Sequence, residues 1–232
     1  MIKANCRDRF TAADFDFVVR TLCRCEGDAV TLVELLTDEE ARDAVLDHPM
    51  LVEAVLEHSA ALTISPQLYF YILIRHVLKQ TGLADRAVSD YVASLLENFS
   101  QTARMRSPGN GSSGPIQYLS DMLIALRNAS PAQTFLIRAH VGNYSLFITG
   151  IFHETVQSRS QRGGPDVSFY EEMGSASYKA AASHQVARSV ALTGVYDQLA
   201  AGFHDMRIAL NRLSDTLLHL DDSSMGILAC PP

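Results

Sequence analysis

Long apolar runs, basic charge, clustered cysteine and strand patterning are all scarce in this chain. The longest unbroken apolar run near its middle is Leu68 to Ile74, well short of the roughly 20 residues a membrane-spanning helix needs. The opening "MIKANCRDRF" has no apolar stretch of the kind a signal peptide carries. No membrane role is expected, and the expected compartment is the cytoplasm. The four cysteines, Cys6, Cys23, Cys25 and Cys230, form no dense framework, so reduced thiols are expected. On a helix, Cys23 and Cys25 would point about 200° apart, which is poor geometry for sharing a metal. Lysine and arginine total 19 against 26 acidic residues, for a formal net charge of -7. A field of that sign does not neutralise phosphates, and nucleic acid is not an expected partner.

Catalytic signatures are missing too. Di-iron bundles use Glu-x-x-His on two helices because side chains at i and i+3 converge, and that pattern is absent. His153-Glu154 is followed by Thr155, Val156 and Gln157, so it does not extend to the His-Glu-x-x-His of zinc proteases. "GNGSSG" lacks the Lys-Ser/Thr of a phosphate loop, and there is no Gly-x-Ser-x-Gly elbow. No metal site is expected. Catalytic residues and cofactor stay unassigned, since a haem would need only one histidine.

What is present is helix. The chain has 232 residues, 47% of them hydrophobic and 19% charged, enough to bury a large core. Thr11 with Asp14 three residues on reads as a cap, and Phe10 and Phe15 have the spacing of a hydrophobic staple. Thr37 and Glu40 predict a second capping box. "DAVLDH" and "EAVLEH" place His48 and His58 at matching positions ten residues apart, either as paired metal ligands or as histidines suited to helix C-termini. Ser65, Pro66 and Gly82 punctuate a helix whose middle, Leu68 to Ile74, is apolar on every side. Such a helix is surrounded by others. A buried Arg75 at its end would need a carboxylate, because an unpaired buried charge costs several kcal/mol.

Val88, Tyr91, Val92, Leu95 and Phe99 mark one face of the next helix. "RSPGNGSSGP", residues 106–115, reads as a flexible loop within one domain. Helices are expected over 116–129 and 131–158, the second capped by Ser130-Pro131. Ser168 and Glu171 have capping-box spacing. Beyond them Leu192, Leu199, Met206, Leu213 and Leu220 recur every seven residues, with Tyr196, Phe203, Leu210 and Leu217 offset by four. That seam predicts one long helix over 185–221. Small residues flank it, as suits the spine of an antiparallel bundle. The tail from 222 reads as loosely packed.

The reading is therefore a single all-helical domain over 1–232: an all-α multi-helix bundle with a long C-terminal helix and a buried apolar central helix. Two functions are compatible with it. The first is a protein-interaction or regulatory module, as a homodimer or with a protein partner, through the C-terminal helix. The alternative is a small-molecule-binding or enzymatic bundle. Its candidate residues are His140, Tyr144 and Glu154, which fall near one line of the 131–158 helix, together with Arg75 and His76.

Overall fold

In the computed structural model, residues 1–23, 26–57, 63–105 and 115–217 are described. Among these residues there are thirteen α-helices and no strand, and the chain is an all-α multi-helix bundle. It groups into two compact units, Ala4–Glu97 and Asn98–Pro232 with Met1–Lys3.

The first unit starts with a 3-10 turn, Arg7–Arg9, and α1, Ala12–Leu22. Thr11 caps α1 in a capping box with Asp14, and Phe10 meets Phe15 edge-on at 6.3 Å. Asp14 is fully buried. One of its carboxylate oxygens accepts from Thr11 N–H at 2.7 Å and the other from Ser65 N–H at 2.7 Å. One carboxylate thus closes two helix starts. Next come α2, Glu26–Thr37, α3, Glu39–Leu46, and α4, Pro49–Leu56. The cap of α3 is Asp38, whose side chain accepts from Ala41 N–H at 2.8 Å. Thr37 belongs to α2 instead, where its hydroxyl donates to Glu34 C=O at 2.6 Å, so the expected Thr37–Glu40 box does not form and the cap lies one residue later, at Asp38. α5, Pro66–Gln80, is capped by Ser65 and buries Leu68, every residue from Phe70 to Arg75, and Val77 and Leu78. This is the apolar central helix. It ends at Gly82, φ +79°, where Leu83 N–H reaches Leu78 C=O and Gly82 N–H reaches Lys79 C=O. Those two bonds are the Schellman closure. α6 covers Arg86–Met105, of which residues 86–97 belong to this unit and residues 98–105 to the second.

The second unit holds α7, Pro115–Ala125, α8, Pro131–Ile151, α9, His153–Ser160, and α10, Val167–Ala182. It continues with α11, Gln185–Ser189, α12, Thr193–Ala201, α13, Phe203–Arg212, and a π turn over Leu213–Leu217. α8 is its axis: every residue from Val141 to Ile151 is buried. α10 runs against it at very short range. A methyl group placed on Gly142 would lie 2.7 Å from the Tyr178 ring of α10, and one on Gly174 would lie 3.0 Å from Ser145 Cβ of α8 and 2.4 Å from the Phe203 ring of α13. Tyr178, whose hydroxyl donates to Asn143 Oδ1 at 2.8 Å, stacks on Tyr196 at 5.7 Å. Burial, and then the neighbouring Tyr196, push the Tyr178 phenol well above its ordinary pKa.

Two expected helices are interrupted. The 131–158 helix stops at Ile151 and restarts at His153. Side chains of the C-terminal stretch take its last carbonyls: the Asn211 amide donates to Thr149 and Gly150 C=O, each at 2.8 Å, and Ser214 Oγ to Ile151 C=O at 3.0 Å. The 185–221 stretch is helical in three pieces as far as residue 217. Its first break is a second Schellman closure, with Leu192 N–H on Ala187 C=O, Ala191 N–H on Arg188 C=O, and Ala191 at φ +55°. Its second is at Gly202. The heptad residues from Leu192 to Leu213 are nonetheless all buried, inside this chain's own bundle. Leu217 and Leu220 lie outside the residues whose side chains are described. The predicted 106–115 loop lies outside the described residues except for Pro115, the first residue of α7, and the tail from 222 and His58 lie wholly outside them.

Candidate functional site

Arg75 and His76, at the end of α5, line an open cleft of about 360 Å³ in the first unit, with Asp47, His48, Lys79 and Gln80. The buried Arg75 has the carboxylate its burial demands. Its Nε and Nη2 donate to the two oxygens of Asp47 at 2.8 and 3.1 Å, and Nη1 donates to Ala84 C=O. Lys79 Nζ is 3.3 Å from the same carboxylate. Burial alone would raise the Asp47 pKa, but the hydrogen bonds and charges of Arg75 and Lys79 outweigh it and hold the carboxyl below its ordinary value. Gln80 Nε2 donates to His76 Nε2 at 2.8 Å. Burial, and then the charge of Lys79, lower the His76 pKa, so the ring favours its neutral form. His48 caps α4, with Nδ1 accepting from Met50 N–H at 3.3 Å. Its lone pair therefore serves the backbone at a helix start, a role neither of its two expected readings foresaw. The polar groups of this cleft mostly satisfy one another, which is the chemistry of a structural ion-pair lattice.

His140, Tyr144 and Glu154 belong to the second unit. His140 stacks on Phe99 with ring centroids 5.8 Å apart. Tyr144 sits in a core cluster with Leu119, Val141, Ile148, Val156 and Tyr170. Glu154 is exposed on α9, and the break at Phe152 removes the straight helical line that related it to the other two. No group of three or more histidine, cysteine, aspartate or glutamate side chains able to hold a metal occurs among the described residues.

A second polar cleft, about 350 Å³, was not anticipated from the sequence. His153, Gln157, Asp166, Ser168, Arg207 and Asn211 line it. Arg207 is clamped: Nε donates to Glu171 Oε1 and Nη1 to Asn211 Oδ1, the latter at 2.8 Å. His204 Nδ1 reaches the same Glu171 oxygen at 3.0 Å. The predicted Ser168–Glu171 capping box does not form: the cap is Asp166, two residues before Ser168, and it accepts from Phe169 N–H at 2.9 Å. Only the i, i+4 spacing of Arg207 and Asn211 hinted at this cluster.

The surface carries one further feature. On α2, Val30 is 64% exposed, Val33 53% and Leu35 40%, while Leu36 is buried. At about 100° per residue, Leu35, Leu32, Leu36, Ala29, Val33 and Val30 span an arc of about 220° that is mainly apolar, with Asp28 falling between Leu35 and Leu32. The fold covers only its middle. Contiguous exposed apolar surface rimmed by polar residues marks interaction sites. Among the described residues, no helix is long and apolar enough to cross a membrane. Compared with known proteins, the chain matches no family model, no curated protein and no solved structure.

Proposed function

We propose that this chain is a protein-interaction module and that a protein partner docks on the outer face of α2. The observation that carries this reading is the pair Val30 and Val33, both more than half exposed and three residues apart on one helix face. The docking face expected along the C-terminal heptads moves to α2 in this reading, because those heptad residues through Leu213 are core. A homodimer through the C-terminal stretch would have to use residues other than these buried heptad positions.

Site-specific photocrosslinking tests the reading. A benzophenone amino acid replaces Val33, with a control at the exposed Glu154 of the other unit, in the cells that make the protein. The expected result is one adduct from position 33 alone, its cross-linked partner peptide sequenced by mass spectrometry, and its loss when Val30→Asp is added. No adduct, or the same adducts from both positions, would contradict it.

A second reading rests on the Arg75–His76 cleft, which is large enough for a small polar ligand. Asp47 already occupies the guanidinium, so a ligand there would have to use His48, His76 and the outer part of Lys79. His76→Ala would then abolish ligand uptake without changing the melting temperature by more than about 2 °C, the effect expected of a surface substitution.

A further inference from the structure

The interaction reading leaves the partner's chemistry open, and the charge around α2 narrows it. Between positions 26 and 41 the chain carries Glu26, Asp28, Glu34, Asp38, Glu39 and Glu40 and no lysine, arginine or histidine. Six negative charges against a formal net charge of -7 concentrate acidic charge on α2 and the start of α3. Asp28, Glu34, Asp38, Glu39 and Glu40 are all exposed. Among the described ion pairs none neutralises Glu34, Glu39 or Glu40.

Building on that reading, we propose that the occupant of α2 is a basic amphipathic helix of another protein, its apolar side chains on Val30 and Val33 and its lysines or arginines facing Glu34, which borders that pair, and the acidic run Asp38 to Glu40 that follows α2. Complementary charge speeds encounter and rejects wrong partners, while the apolar contact supplies most of the binding free energy. A second copy of this chain is a poor occupant, since it would set six acidic residues against six. An anionic lipid surface is repelled for the same reason. A metal ion is disfavoured because no ligand cluster exists among the described residues.

The probe is a fluorescein-labelled peptide of about 18 residues, roughly five helical turns, built from leucine on one face and lysine on the other. Its partner control has glutamate for lysine. Anisotropy is measured with the full chain. The lysine peptide is expected to bind and the glutamate peptide not to. Raising salt from low to physiological strength weakens binding several-fold, as screening requires. Val30→Asp with Val33→Asp, and separately Glu34→Lys with Glu40→Lys, each weaken it at least about tenfold. Glu53→Lys with Glu57→Lys makes the same change in net charge on and just after α4 and leaves binding within about twofold, which separates a local site from general attraction. Circular dichroism melts confirm that each variant is folded.

Absent binding, equal binding of both peptides, or equal loss in the Glu53/Glu57 pair overturns the proposal. If the lysine peptide fails while position 33 still cross-links to a partner, the interaction reading stands and the basic partner alone is lost. Failure of both removes the two together.

Discussion

Ala191→Gly distinguishes a continuous C-terminal helix from the broken one by the sign of its effect. In a continuous helix over 185–221, position 191 would be interior, and glycine there would destabilise by about 0.8–1 kcal/mol relative to alanine. In the structure Ala191 stands at φ +55°, in the left-handed region that costs an L-residue roughly 1–2 kcal/mol. Glycine removes that cost, but its freer unfolded chain offsets about 0.4–1 kcal/mol. The net expectation is stabilisation of about 0.5–1 kcal/mol, or an upward shift of about 1–4 °C in a chain of this size. Gly82 supplies the mirror experiment. It makes the same two closing bonds at φ +79° with nothing within 4 Å of an added methyl, so Gly82→Ala should destabilise through backbone strain alone, by about 1 kcal/mol. Urea melts followed by far-ultraviolet circular dichroism read both variants. If Ala191→Gly lowers stability by the interior amount, the break at residues 190–192 is not there and the reasoning fails.

Four other expectations can be checked. Asp47→Ala leaves the buried Arg75 guanidinium without its carboxylate and should cost about 3 kcal/mol or more; a smaller loss would mean Arg75 reaches water. In an NMR titration the His76 ring should show its midpoint below 6.5, and Lys79→Gln should raise it; because the depressed group binds fewer protons folded than unfolded, its contribution to stability is present above about pH 6.5 and is lost as pH falls through the folded midpoint. Gly174→Ala drives a methyl into the Phe203 ring and should cost about 1–3 kcal/mol, with part of the loss recovered in the Gly174→Ala/Phe203→Leu double variant; simple additivity in that cycle would contradict the close approach. Asp14→Ala strands the N–H groups of Thr11 and Ser65 and should cost about 2 kcal/mol, read as a fall in urea midpoint.

What could be read from the sequence was what acts over three or four residues, or over a whole face. Thr11 with Asp14, Ser65 with Pro66, Ser130 with Pro131, and Gly82 all punctuate helices where their spacing predicted, because a cap and its target N–H belong to one turn. The apolar run Leu68–Ile74 and the heptad residues through Leu213 are almost wholly buried, because periodicity reports which face avoids water. Periodicity does not report which helix that face meets, so a seam suited to a second copy is also suited to α8 and α10. The breaks were hidden for a related reason. The carbonyls at the end of α8 are taken by Asn211 and Ser214, more than 60 residues away, and no local pattern encodes that. Glu171 had a plausible local role three residues from Ser168. Its partners Arg207 and His204 become visible only once α10 and α13 are packed. The α2 face was legible in principle as an arc of mainly apolar residues wider than one neighbour can cover, with Asp28 within it and Glu34 just past the Val30 edge.

Hydrogen–deuterium exchange of the full chain, with and without the leucine–lysine peptide, tests the central claim most directly. Docking on α2 predicts slowed exchange concentrated in residues 26–40, with residues 66–80 and 131–160 unchanged. Protection centred on the Arg75–His76 cleft or on the second unit, with 26–40 unaltered, would contradict it.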